Sequence, residues 1–194
     1  MAENGSNGIL IGIVDDLQDP EGLARVRVRY PYLGDQKSDW ARLALPMAGD
    51  GRGTFFRPEV GDEVLVAFEQ RDPRRPYVLG ALWSQADPPP DDDGQAAQNN
   101  WRFIQSRSGH IILLDDTAGQ EKIELIDKDG LRRVTIDSAN GKIEVICSQG
   151  DVQVSAAAGE VRVEGLTVVV EAQTSLTLRS SGPTTIEGNP VAIN

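Results

Sequence analysis

One cysteine and one histidine in 194 residues leave little room for the chemistry those side chains usually carry. Cys147 alone excludes an intrachain disulfide, and His110 alone excludes most catalytic triads and metal sites, which draw on several imidazoles. Cys147 reads as a small strand residue. His110, between Gly109 and "IILL", reads as a turn or strand-start residue. Aromatics make up only 5% of the chain against 20 glycines, so a thick conventional core does not run through all of it. The longest apolar stretches, such as "ILIGIV", are too short to span a bilayer. "MAENGSNG" has no basic region ahead of an apolar segment, so no secretory signal is visible and a soluble chain made in the cytoplasm is expected. Basic residues are the minority, 19 against 30 acids, and the net charge of −11 argues against a nucleic-acid backbone or an anionic membrane as main partner.

What is present is β-sheet patterning in two styles. Before residue 86, five strand-like runs stand out: "GILIGIVDD", "LARVRVRYPYL", "DWARLALPM", "VGDEVLVAFEQ" and "YVLGALW". Turn chemistry such as "DPEG", "AGDGRG" and "RDPRRP" separates them. In "ARVRVRY" the alternation puts Ala24, Val26, Val28 and Tyr30 on one side and Arg25, Arg27 and Arg29 on the other. Five half-buried strands in some eighty residues suit a small closed barrel of the five-stranded OB type. "QADPPPDDDGQAAQNN", with its prolines and consecutive aspartates, reads as a solvated linker, and it lacks the ligand alternation of a calcium-binding EF-hand loop. The division is therefore 1–86 barrel, 87–100 linker and 101–194 C-terminal module.

That last module repeats. Short alternating units begin at residues 123, 134, 143, 152, 161, 168, 176, 184 and 191, a spacing of 7 to 11 residues that tightens along the chain. Glycines such as Gly141, Gly150 and Gly159 punctuate them, where a corner after so short a strand favours positive φ. Each unit has one apolar edge, and no helix or long apolar run stands ready to cover it. One such ribbon would leave both its apolar edge and a ladder of backbone groups uncovered. Several identical copies wound together would bury both. Three flat faces closing on single Val, Ile and Leu side chains predict a homotrimer, a stiff prism about 40 Å long at the ordinary strand spacing. The residues expected at its axis are Val134, Ile136, Ile143, Val145, Val152, Val154, Val161, Val163, Val168, Val170, Leu176 and Leu178. Ile186, Val191, Ile193 and Asn194 are expected to offer strand ends for a capping partner.

The run "WARLALPMAGDGRGTFFRPEVGDEVLVAFEQRDPRRPYVLGALW" resembles the OB module of contractile-injection spike proteins: the phage baseplate assembly protein V family, the valine-glycine repeat protein G of type VI secretion and the spikes of extracellular injection systems. The matching features are the Trp-x-Arg strand start, "PEVGDEVLVAFE", and "DPRRPYVLGALW" with its terminal aromatic. The resemblance continues upstream through "GIVDDLQDPEGLARVRVRYP" and downstream into "SRSGHIILLDDTAGQEKIELID".

It implies an all-β fold, an N-terminal OB barrel followed by an intertwined trimeric β-helix, or β-prism needle. It also implies a non-enzymatic, phage-tail-like spike that assembles in the cytoplasm and pierces a target envelope, touching the target membrane transiently. The implied partners are a separate hub protein resembling the phage tail hub, inner tube and baseplate proteins, and a tip cap of the proline-alanine-alanine-arginine repeat type. No cofactor or metal is expected, because no histidine follows His110 to build an apex metal site. Two alternatives stand beside this reading: an OB-fold nucleic-acid binder, which needs a basic groove with stacking aromatics, and a cell-wall or polysaccharide hydrolase, which needs two carboxylates across a cleft.

Overall fold

The computed structural model describes residues 8–94 and 96–192, and its regular structure is almost entirely β. The first sheet contains β1 (Leu10–Asp16), β2 (Arg27–Tyr30), β3 (Gln36–Lys37), β4 (Arg42–Leu43), β7 (Glu63–Phe68) and β8 (Pro76–Leu82), in the order β3-β2-β1-β7-β8-β4. A small hairpin, β5 (Ala48–Gly49) with β6 (Arg52–Gly53), projects between β4 and β7. β4 runs parallel to β8, and all other neighbours are antiparallel. The sheet closes on itself where Val26 and Ala41 exchange backbone hydrogen bonds of 3.0 and 2.7 Å, joining the approach to β2 with the approach to β4. The resulting circuit β2-β1-β7-β8-β4 is that of the five-stranded OB barrel.

β-branched residues at alternate positions fill this barrel. Val14, Val26, Val28, Val64, Val66 and Val78 are buried, with Tyr30 and Ala41 beside them. Gly12 also points inward, and a Cβ there would come within 2.2 Å of Val28 Cγ1. The turn in "PEVGDEV" has a clear physical basis. Gly61 takes φ +104°, its N–H donates to the Val14 carbonyl (2.9 Å), and Asp62 accepts from the Glu59 N–H (2.8 Å). Trp40 lies under the Arg27 guanidinium (4.8 Å to the ring), and Arg42 lies over Tyr77 (5.6 Å).

The strict alternation expected from Ala24 onward holds only from Val26. Ala24 has φ +58° and precedes the strand. The cause is Asp19, whose carboxylate accepts from the backbone N–H groups of Glu21, Leu23 and Arg25 and from the Arg25 guanidinium (2.7 and 3.0 Å). That loop is organised around one nearly inaccessible carboxylate, 2% exposed. The Arg25 guanidinium and then the backbone donors hold the Asp19 carboxyl far below its ordinary value of 3.8. A depressed folded-state value stabilises the fold above pH ~4, and that contribution disappears as pH falls further. Asp19→Asn is therefore expected to flatten the fall in melting temperature between about pH 4 and pH 2; an unchanged acid slope would count against the carboxylate's role.

The second sheet is an antiparallel meander of β9 (Trp101–Gln105), β10 (Ile111–Asp115), β11 (Lys122–Ile126), β12 (Arg132–Asp137) and β13 (Lys142–Cys147), in sequential order. Its tight turns use Gly119, Gly130 and Gly141, all at positive φ. After Cys147 the described residues form no further strand.

Candidate functional site

The alternation of the meander strands sorts their side chains into two unlike faces. On one face the cross-strand register aligns Ile104, Ile112, Leu125, Val134 and Val145 in a row across all five strands. A second row aligns Leu114, Ile123, Ile136 and Ile143, with Arg102 at its β9 end. Nine apolar side chains thus form one contiguous surface, and all except half-buried Val134 are exposed. A face of this size, on a sheet with two open edges, is uncharacteristic of a finished monomer.

The opposite face is mixed: Phe103, Ile111, Leu113, Ile126 and Ile146 share it with Glu124, Arg133 and Thr135. Its register places Asp115, Lys122, Asp137 and Lys142 in a row of alternating charge. Lys122 also reaches Glu124 (3.0 Å), whose carboxylate accepts from the Thr135 hydroxyl (3.1 Å). The Asn140 side chain and backbone donate to Asp137 and hold it below the usual carboxylate range. At the edge of the meander, His110 Nδ1 lies 2.9 Å from Asp127, next to the start of β10.

Of the twelve axis residues expected from the sequence, Val134, Ile136, Ile143 and Val145 lie together on the apolar face. The other eight, from Val152 to Leu178, lie where the chain has no ladder partner of its own, and every described residue from 151 to 192 is exposed. Ile186 and Val191 are exposed in this segment, whereas Ile193 and Asn194 lie outside the described residues. Sequence reasoning passed over Ile104, Ile112, Leu114, Ile123 and Leu125 as site residues. Their signal was the period-two alternation in "WRFIQ", "IILLD" and "KIELI", which matches that of the later units.

Enzymatic geometry finds little support. Among the described residues, no three His, Cys, Asp or Glu side chains gather to hold a metal. A polar hollow of about 320 Å³ lies between Asp92, Asp93, Asn100, Trp101, Asp115 and Lys122. A glycosidase acid in such a hollow needs a raised pKa. Burial pushes Asp115 up, but hydrogen bonds from Thr117 and Trp101 outweigh it and hold the carboxyl below its ordinary range. Four of the barrel arginines are likewise engaged within the chain: Arg25 with Asp19, Arg29 with Asp35 (3.0 Å), Arg27 on Trp40 and Arg42 on Tyr77. They do not form the open basic groove that single-stranded nucleic acid requires.

Comparison with known proteins agrees with the barrel's topology. Residues 10–83 match the family described as the type VI secretion system/phage-baseplate injector OB domain. The chain is 35% identical over 108 residues to the type VI secretion system spike protein VgrG4b of Pseudomonas aeruginosa, covering 51% of this chain and 13% of that protein. It is 27% identical over 113 residues to the spike protein VgrG3 of Vibrio cholerae, covering 54% of this chain and 11% of the relative. A third relative, the actin cross-linking toxin VgrG1 of Vibrio cholerae, is 28% identical over 118 residues, which is 55% of this chain and 11% of the toxin. The matched part is thus a small fraction of each relative's length.

Proposed function

We propose that this chain, whose residues 10–83 match the type VI secretion system/phage-baseplate injector OB domain, is a homotrimeric central spike whose work is mechanical rather than catalytic. One observation carries this reading: the meander aligns nine apolar side chains on one face, eight of them exposed, and among the described residues the repeats that follow have no strand partner within their own chain. Three copies meeting on those faces give each side chain a dry environment, at about 1.5–3 kcal/mol per large side chain fully buried. The alternating charges of Asp115, Lys122, Asp137 and Lys142 lie on the other face, away from that contact.

Past Cys147 each chain would find its ladder partners in the other two copies, forming an intertwined β-helix with its backbone groups paired across chains. In this division 1–86 is the barrel, 87–100 the linker and 101–194 the needle, with Val152 to Leu178 continuing the axis. Such a needle concentrates force on a small area of a target envelope while a contracting machine supplies the energy. Ile186, Val191, Ile193 and Asn194 would end the prism and receive a tip cap, and a hub protein, the inner tube and the baseplate would hold the barrel end. No residue is assigned a catalytic role, and the toxin activity named for one relative is not carried over, since only 11% of that protein is matched.

The test is solution mass by light scattering, combined with hydrogen exchange. A mass of three chains with slow exchange between residues 151 and 192 is expected. A stable single chain, or fast exchange along that segment in the assembled protein, would overturn the reading.

A further inference from the structure

The polar hollow of about 320 Å³ at the end of the meander is framed by residues that serve neither the barrel core nor the apolar face. Its volume is at the lower end of the range for small-molecule sites, about 300–1,000 Å³. Part of its lining is a cross-strand row: Trp101 on β9 is paired with Asp115 on β10, and Asp115 with Lys122 on β11. The rest comes from the segment leading into β9, with Asp92, Asp93 and Asn100, and from the β10–β11 turn, with Thr117 and Gln120. The frame is tied together. Asp115 is only 7% exposed, and its carboxylate accepts from the Thr117 N–H (2.9 Å) and from Trp101. The Asp116 N–H donates to the Asn100 carbonyl (3.0 Å), and the Gln120 N–H donates to the Thr117 carbonyl (2.8 Å). Trp101 and Phe103 meet edge to face with centroids 6.4 Å apart, which orients the indole.

The lining chemistry selects among ligands. Three carboxylates against one ammonium disfavour an anion. A bare metal ion is not matched, since among the described residues no three acidic, imidazole or thiol side chains gather to hold one. A polyamine or a cationic side chain has only donors to offer, which would leave the Lys122 ammonium and the amide groups of Gln98, Asn99 and Gln120 without acceptors. Hydroxyl groups suit both kinds of lining, because each can donate to a carboxylate and accept from an ammonium or an amide. The indole adds an apolar surface for the C–H face of a sugar ring. Asp115, held below the ordinary carboxyl range, accepts hydrogen bonds but has no proton to give to a leaving group near neutral pH.

We propose that this hollow binds a small neutral saccharide without cleaving it. The site is built within one chain. Trp101, Asp115 and Lys122 lie on the opposite face from the rows assigned to the contact between copies, so the inference stands apart from the three-copy reading.

Calorimetric titration of the full-length chain with maltose and with N,N′-diacetylchitobiose tests this, with spermidine and inorganic phosphate as charged controls. Saturable heat in the millimolar range is expected from at least one of the sugars and from neither control. Gln120→Ala and Asp93→Asn each remove one hydrogen-bonding group from exposed turns, and each should weaken sugar binding about three- to tenfold. Gln36→Ala, on β3 of the barrel, should leave it unchanged. The sugar should be recovered intact after prolonged incubation. No saturable heat from either sugar, saturable heat from spermidine or phosphate, or sugar binding indifferent to both hollow variants would overturn the assignment, and cleavage of the sugar would overturn its non-hydrolytic character.

Discussion

Leu125→Asp is expected to turn the proposed three-chain particle into single chains. Leu125 sits on β11, the central strand of the meander, between Ile112 and Val134 in the row that crosses all five strands. In one copy it is about half exposed, so a carboxylate there costs the isolated sheet little. In three copies packed face to face, the same substitution buries three like charges, and Arg132, which lines a hollow with Leu125 on that face, is already held by Asp127 and Asp129. The penalty is several kcal/mol per ion, enough to cancel the gain from burying the neighbouring apolar side chains. Light scattering should report the mass of one chain, and any species resistant to detergent dissociation should vanish. The barrel core is built from other residues, so the near-ultraviolet signal of Trp40 should persist, which separates lost assembly from lost folding. Leu125→Met, nearly equal in volume, should keep the three-chain mass. A Leu125→Asp protein that remains trimeric would mean the apolar face does not meet its sister copies.

Gly12→Ala is expected to produce the largest loss of stability in the barrel. The residue lies inside β1, and an added Cβ would meet Val28 Cγ1 at 2.2 Å and the Arg29 carbonyl oxygen at 3.2 Å. Both belong to the neighbouring strand, which is held by paired backbone bonds and cannot easily retreat. Overpacking of this kind costs about 1–3 kcal/mol. For a unit of this size that lowers the melting temperature by roughly 4–8 °C per kcal/mol. Gly80→Ala is the matched control, because nothing lies within 4 Å of its Cβ position. Pairing Gly12→Ala with Val28→Ala removes the closest clash, so the double variant should lose less than the sum of the two single losses. Strict additivity would show that the strands part freely and that the glycine is not required by packing.

The barrel was largely legible from sequence because its signals are local. Alternation in "RVRVRY" and "EVLVAF" set which valines face inward, and turn residues marked where strands end. What escaped was the loop before β2. There Asp19 draws three backbone N–H groups around itself and forces Ala24 into a left-handed conformation, an arrangement determined by one side chain acting over six residues. The apolar face was visible in part. Val134 to Val145 stood out because their units repeat, whereas Ile104, Ile112 and Leu114 come from strands that precede the repeat beginning at residue 123. The register that aligns them depends on where each hairpin turns, and a period-two pattern alone does not determine that. Nor did "FF" in the middle of a glycine-rich loop announce a surface patch. The structure shows Phe55 and Phe56 exposed, lining a hollow with Leu43 and Leu45.

The unpartnered stretch from Asp151 to Ala192 has a genetic consequence. If every ladder in that stretch is completed by sister chains, a defective copy does not simply fail alone; it spoils the two sound copies it joins. In a cell expressing normal and defective chains equally, random association leaves roughly one spike in eight made wholly of normal chains. Alleles that alter the needle while leaving the chain able to assemble should therefore act dominantly, whereas alleles that unfold the chain before it meets its sisters should be recessive.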